Sequence, residues 1–389
     1  MGLLGGVYTP QVQEAMTRLG SRLSYGEAQE ELELMWKVKV SKSSLQYVTM
    51  RHGGVAAALI GEKVAQLEAI APPATAQPEQ LVMCTDGAMV QLTSGEWREV
   101  KTVTFGEFRP QWDAKTHKVV TKTEQVSYFS RMEPAEAFSR SALVEWHRRG
   151  GENARVVVAV QDGAAWIQSF VDYHCPQATR VIDFAHAQEY VATVGKAIYG
   201  SESDIFAPWY ARMSKQLGHQ PPHRTVNELR LLQQQHPDHP QADTIEAAIC
   251  YLERRLPLID YPHFRRRQLP IGSGNVESGH KVVMQKRMKQ AGMRWAETNL
   301  NPMLALRVAL ANRTWKASWQ EIVVKVSHQK HPPPPHQHLS PTTPATPTIV
   351  TEADCHRLSA LADRIQKKKR NPWQNNRWLF PHRLRLHLN

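Results

Sequence analysis

Three carboxylates in this sequence stand where a pair of divalent ions would need them. Asp86 closes the apolar run of LVMCTDGAMV, and Asp162 closes that of ARVVVAVQDGAAW. Glu277 lies in IGSGNVESGHKVVMQKRMKQAGMRW, which reads as the start of a basic helix. Two strand-end aspartates followed by a helix glutamate can hold two ions about 4 Å apart for phosphodiester chemistry. One ion then activates the attacking oxygen and the other stabilises the leaving oxygen. The ion expected is Mg²⁺ (or Mn²⁺), which prefers carboxylate and water oxygens and needs few protein carboxylates per ion, so three suffice. In this reading Asp86 bridges the ions, Asp162 completes one site and Glu277 the other. A single Asp-Gly is ordinarily a turn. The reading rests on three acids in this order.

A fourth acid competes for the second place. Asp183 ends the apolar run RVIDF, and His186 follows three residues on. Asp183 is an alternative second carboxylate, with His186 donating to it or contacting a phosphate. It can equally be a helix N-cap with His186 in the first turn. Asp162 is preferred because it ends the strand expected to lie beside the first one.

Cations follow the glutamate closely. Lys281, Lys286, Arg287, Lys289 and Arg294 are candidates to hold a nucleic-acid backbone. Between Ser278 and Lys316 there are eight Lys/Arg and one acid, Glu297. Such a helix beside an acidic site would position phosphates while chemistry proceeds on them. A solvated basic face is the plainer alternative.

These residues need elements to position them. Residues 1–70 read as helical. Thr9-Pro10 opens one helix to about Leu19, and Ser24 to Glu27 has the form of a capping box ahead of a helix to about Trp36. Ser41 caps a third helix through Met50. The last two suggest a helix-turn-helix with Ser41, Lys42, Ser43 and Gln46 facing a DNA groove. An ordinary helical bundle has the same pattern. Residues 71–80 form a Pro/Ala/Gln linker. Strands are expected at LVMCTD, EWREVKTVTF and QVSYFSRM, a helix over 134–149, a strand at 156–160, a helix over 166–173 and a strand at RVIDF. A meander followed by helix-linked strands implies a mixed α/β sheet, with the fourth strand beside the first.

The catalytic core is thus expected in two parts, 81–186 and 271–316, around an all-helical insertion at 187–270. Residues 317–348 are expected as a proline-rich linker and 349–389 as a basic tail. From Arg357 onward that tail holds nine Lys/Arg against Asp363.

Bulk properties agree with a polyanionic partner. The chain has 389 residues, 41% hydrophobic, with net charge +12 and pI about 9.6. No apolar run reaches membrane-spanning length, so no membrane partner is expected. Four scattered cysteines without a C-x-x-C pair suit reduced thiols in a bacterial cytoplasm, near the nucleoid.

The sequence resembles bacterial insertion-sequence transposases of the Kra group, related to the Mutator-like transposases. The resemblance rests on GLLGGVYTPQVQEAMTRLGSRLSYGEA, DGAMV with WREVKT, VIDFAHAQEYV, and GSGNVESGHKVV with RMKQAGMRW. It implies an RNase H-like core with an Asp86, Asp162, Glu277 triad. It also implies an Asp-x-x-His or Cys-x-x-His pair following the second catalytic aspartate, which Asp183 and His186 match. It further implies double-stranded DNA as partner, both transposon ends and target, and a homodimer or higher oligomer on DNA. A cysteine-rich segment often precedes the first stretch in that group and does not precede it here, which would fit a shortened copy with weaker end recognition. Two other classes remain open from the residues alone: a non-catalytic, transposase-derived repressor, and another RNase H-like nuclease such as a junction resolvase.

Overall fold

A computed structural model describes residues 8–115 and 117–328. The proline-rich stretch at 331–348 and the basic tail lie outside these residues. All described residues belong to one compact unit.

Three helices lead the chain: α1 (Pro10–Gly20), α2 (Tyr25–Trp36) and α3 (Lys42–Ile70). Each starts at an expected cap. Thr9 accepts from Val12 N, Ser24 and Glu27 form a reciprocal capping box, and Ser41 accepts from Ser44 N. Lys37 ends α2 in the left-handed region, with φ 55°. Met16, Ala28, Leu32, Leu45 and Val48 form the bundle's own core. The third helix does not stop at Met50. It runs 29 residues to Ile70 because its second half has a surface to bury, with Val55 packing on Leu306, Trp315 and Trp319.

The sheet has five strands in the order β3-β2-β1-β4-β5. They are β1 (Gln80–Gln91), β2 (Trp97–Asp113), β3 (Lys118–Arg131), β4 (Val156–Gln161) and β5 (Thr179–Ile182). β1, β2 and β3 form an antiparallel meander, while β1–β4 and β4–β5 pair in parallel. Helices α4 (Ala135–Arg148) and α5 (Ala165–His174) make the crossovers. The expected adjacency of first and fourth strands is therefore present.

Alternation along the strands assigns the two faces. Leu81, Met83, Val157 and Ala159 bury against α4 and α5 through Phe138, Trp146 and Phe170. Val82, Cys84, Val158 and Val160 face the other way, toward a larger core. That core is built by α6 (Phe184–Tyr199), α7 (Phe206–His219), α8 (Pro222–Gln234), α9 (Ala242–Glu253) and α10 (Tyr261–Arg266). Residues 187–270 are helices, turns and loops, with no strand among them.

The chain then returns over the sheet as α11 (Gly274–Gly279), a π-helical turn (His280–Gln285) and α12 (Lys286–Met288). Helices α13 (Leu300–Ala311) and α14 (Trp315–His328) complete the unit. Residues 317–328, expected as the start of a linker, are instead part of α14. Trp315, Trp319, Ile322 and Val326 recur at helical spacing and bury against α3 and α13. Among the described residues no helix is long and apolar enough to cross a membrane.

Candidate active site

The β1–β4 pairing ends two residues short of two of the expected acids. Pairing runs from Gln80↔Val156 to Cys84↔Val160. Carried two residues further, the same register sets Asp86 opposite Asp162. Asp86 follows Val82 and Cys84 in the alternation of β1, on the insertion-facing side of the sheet. Asp162 lies immediately beyond β4, as a strand-end acid should. Asp86 does not end its strand. β1 continues to Gln91 because β2 pairs with it throughout, with Asp86 opposite Thr102. What ends near Asp86 is the parallel pairing with β4.

Glu277 arrives from above. α11 lies on β1 and β2, and the approach depends on Gly279. A Cβ there would stand 3.1 Å from Thr104 Cγ2 and Tyr128 Cδ1, and 3.4 Å from Thr102 Cγ2. A side chain there would press on the strand position that pairs with Asp86. Glu277 itself is exposed, and its charge reaches Asp86.

Electrostatics registers the convergence. The Asp86 carboxyl is pushed up to about 6, first by burial and then by the Asp162, Glu99 and Glu277 carboxylates. The Gly87 N–H, donating to Asp86 Oδ1 at 2.7 Å, opposes this. Among the described residues no three His, Cys, Asp or Glu side chains are gathered tightly enough to form a ready-made metal cage. The acids share a field rather than a common centre.

Asp183 is placed differently. Its Oδ1 accepts from His186 N at 2.9 Å and its Oδ2 from Ser273 N at 2.5 Å. Both oxygens thus hold main chain, one capping α6 and the other pinning the segment that leads to Glu277. The His186 ring does not reach Asp183. Its Nδ1 is 3.4 Å from Glu189 Oε2, and the ring packs edge-on against Tyr190 and Tyr251. The capping alternative accounts for both residues.

The expected cations divide. Lys281, Lys286, Lys289 and Arg294 are exposed along the π-helical turn, α12 and the loop after it. Arg287 is not a surface cation, which corrects its expected role at a phosphate. It is 1% exposed, its Nε donates to Gly20 O at 2.9 Å, and its guanidinium lies over the Tyr25 and Trp295 rings. The sequence groups it with its neighbours as one of a run of cations, and burial separates it from them. In the N-terminal bundle Lys42, Ser43 and Gln46 are all exposed on the first turns of α3, as a reading helix requires.

Two groups near the acids were not singled out from sequence. His280 is buried, with Nδ1 3.6 Å from Asp86 Oδ2 and its Nε2 without a partner. Burial, helped by the Lys289 charge, pushes its imidazole down to about 4, so at neutral pH it meets Asp86 uncharged. The only sequence signal was its place three residues after Glu277. Glu99 pairs with Lys101 Nζ at 2.6 Å and adds its charge to the field at Asp86. It is hidden in an alternating strand, where an acid usually means solvent.

No protein-family model matches this sequence, and no curated protein matches it.

Proposed function

We propose that this chain is a DNA transposase with an RNase H-like core, cleaving phosphodiesters at the ends of its element and joining the freed 3′-hydroxyl to target DNA. The observation that carries this reading is the approach of three carboxylates: the parallel β1–β4 pairing ends two residues short of both Asp86 and Asp162, and the Asp162 and Glu277 charges both act on Asp86. The mixed sheet with helices on both faces is compatible with that core, and the helical insertion before the glutamate fits the resemblance in sequence.

The donor set suits Mg²⁺ or Mn²⁺. All three groups are hard oxygen donors, and the Asp162 and Glu277 charges add to the burial that raises Asp86, a repulsion that a divalent cation would relieve. Asp86, Asp162 and Glu277 would hold it. When bound, it would supply the charge that activates an attacking oxygen and steadies a leaving one. The protein's own residues do the rest. Lys281, Lys286, Lys289 and Arg294 hold backbone phosphates beside the acids. Asp183, gripping Ser273 N and His186 N at once, fixes the approach of the Glu277 helix to the sheet. Lys42, Ser43 and Gln46 read the transposon ends, and a dimer or higher oligomer brings two ends together on the nucleoid.

The test is incubation of the purified chain with Mg²⁺ or Mn²⁺ and duplex DNA carrying the sequences that flank its own gene. Nicks leaving a 3′-hydroxyl at those ends, followed by strand joining, are expected. Binding without cutting would identify a repressor. Cutting of branched DNA without end sequences would identify a resolvase-like nuclease.

A further inference from the structure

Asp162 stands on a short turn, Asp162-Gly163, between β4 and α5, and the helical insertion grips that turn from outside. The Tyr251 hydroxyl, on α9, donates to the Asp162 main-chain oxygen. Arg255, just past the end of α9, donates from Nη2 to the Gly163 oxygen at 3.3 Å. The two side chains are themselves held. The Arg255 guanidinium carbon lies 3.9 Å from the Tyr251 ring centroid, and Nη1 donates to Tyr251 O at 3.2 Å. Tyr190 of α6 stacks parallel to Tyr251, with centroids 3.8 Å apart and planes 9° apart. The fit at the turn is close. Gly163 has φ +84°, and a Cβ there would lie 2.7 Å from Tyr251 Oη and 2.9 Å from Arg255 Nε.

We propose that Tyr251 and Arg255 are positioning residues for Asp162, through which the insertion sets the geometry of the second carboxylate. This rests on the reading of Asp162 as a metal-holding group. Inside the turn, Asp162 Oδ1 accepts from Ala164 N at 2.8 Å, which orients the carboxylate relative to its own loop. The insertion ties the loop's two carbonyls to a packed body, because Tyr251 lies on, and Arg255 just beyond, a helix whose Ile249 and Leu252 are fully buried. A ligand must be held within about 0.5 Å of its working place. Removing a group that orients a metal ligand typically costs roughly 10–100-fold in affinity or rate. The insertion is then part of the active site's frame, and any movement of α9 is felt at Asp162.

The test uses the full chain and Mn²⁺ alone, titrated and followed by electron paramagnetic resonance, alongside DNA cleavage kinetics. Tyr251→Phe keeps the ring and its stack and removes only the hydroxyl. Weakening of Mn²⁺ binding by about tenfold is expected, with a similar fall in kcat and unchanged Kd for duplex DNA. Arg255→Lys, which keeps a cation and a donor, should recover part of what Arg255→Ala loses. Asp162→Asn should lose the Mn²⁺ site. If Asp162→Asn loses it while Tyr251→Phe and Arg255→Ala bind and turn over like wild type, the clamp is wrong and the ligand reading stands. If Asp162→Asn binds Mn²⁺ like wild type, the ligand reading fails and takes the clamp with it.

Discussion

Arg287 Nε donates to the main-chain oxygen of Gly20 at 2.9 Å, tying the end of the Glu277-bearing helical run to the N-terminal bundle across 267 residues of sequence. The guanidinium is sandwiched by Tyr25 and Trp295 and is almost wholly buried. This contact packs the bundle against the Glu277-bearing helical run. Arg287→Ala should therefore destabilise the fold by about 3 kcal/mol, combining an unsatisfied carbonyl with a cavity. Urea melts against Lys286→Ala, which should be near neutral, measure this. Unchanged stability with lost DNA affinity would return Arg287 to a phosphate-binding role.

Buried histidines set an acid limit on stability. Burial pushes the imidazoles of His52 and His174 down to about 4, against about 6.5 in an unfolded chain. Their contribution is fully present above about pH 6.5. As pH falls from there toward 4, the unfolded chain takes up protons that the folded one refuses. Each should cost about 1.4 kcal/mol per pH unit in that window. His174, packed among Phe170, Trp146 and Tyr173, can be replaced by Phe with little steric change. Denaturant melts at pH 7, 6 and 5 should show a shallower acid decline for His174→Phe than for wild type. Parallel declines would show that His174 titrates normally.

The first turns of α3 offer a separate test of base reading. Lys42→Ala combined with Gln46→Ala should weaken binding to the element's ends more than to bulk duplex, since base contacts specify and phosphate contacts position. Gel shifts on both substrates at fixed salt check this. Equal losses would indicate phosphate contact alone, and no loss would make the bundle purely structural.

The strand order and the pairing of the first and fourth strands were legible because apolar runs at Leu81–Cys84 and Val156–Val160 bury on both faces. The acids at their ends were legible for the same reason. The length of β1 was not, because Asp-Gly has the chemistry of a turn while the partner strand that extends β1 lies in another segment. Arg287 was misread because a run of cations does not mark the one that buries, and its partners Gly20 and Tyr25 lie in a distant segment. The hold of Tyr251 and Arg255 on Asp162 was invisible from sequence because it joins residues about ninety positions apart through main-chain oxygens, which any residue possesses.

The central claim is that Asp86, Asp162 and Glu277 act together on phosphodiesters. Asp86→Asn, Asp162→Asn and Glu277→Gln each keep the shape of the side chain and remove its charge. The decisive measurement is Mg²⁺-dependent cleavage of end-bearing duplex by these three variants and by Asp183→Asn, with DNA affinity measured in parallel. Each triad variant should bind DNA as wild type does and fail to cut it. Asp183→Asn should keep detectable cleavage at any level its stability allows. Normal cleavage by Asp162→Asn, with none by a folded Asp183→Asn, would contradict the account and place the second carboxylate one strand further out.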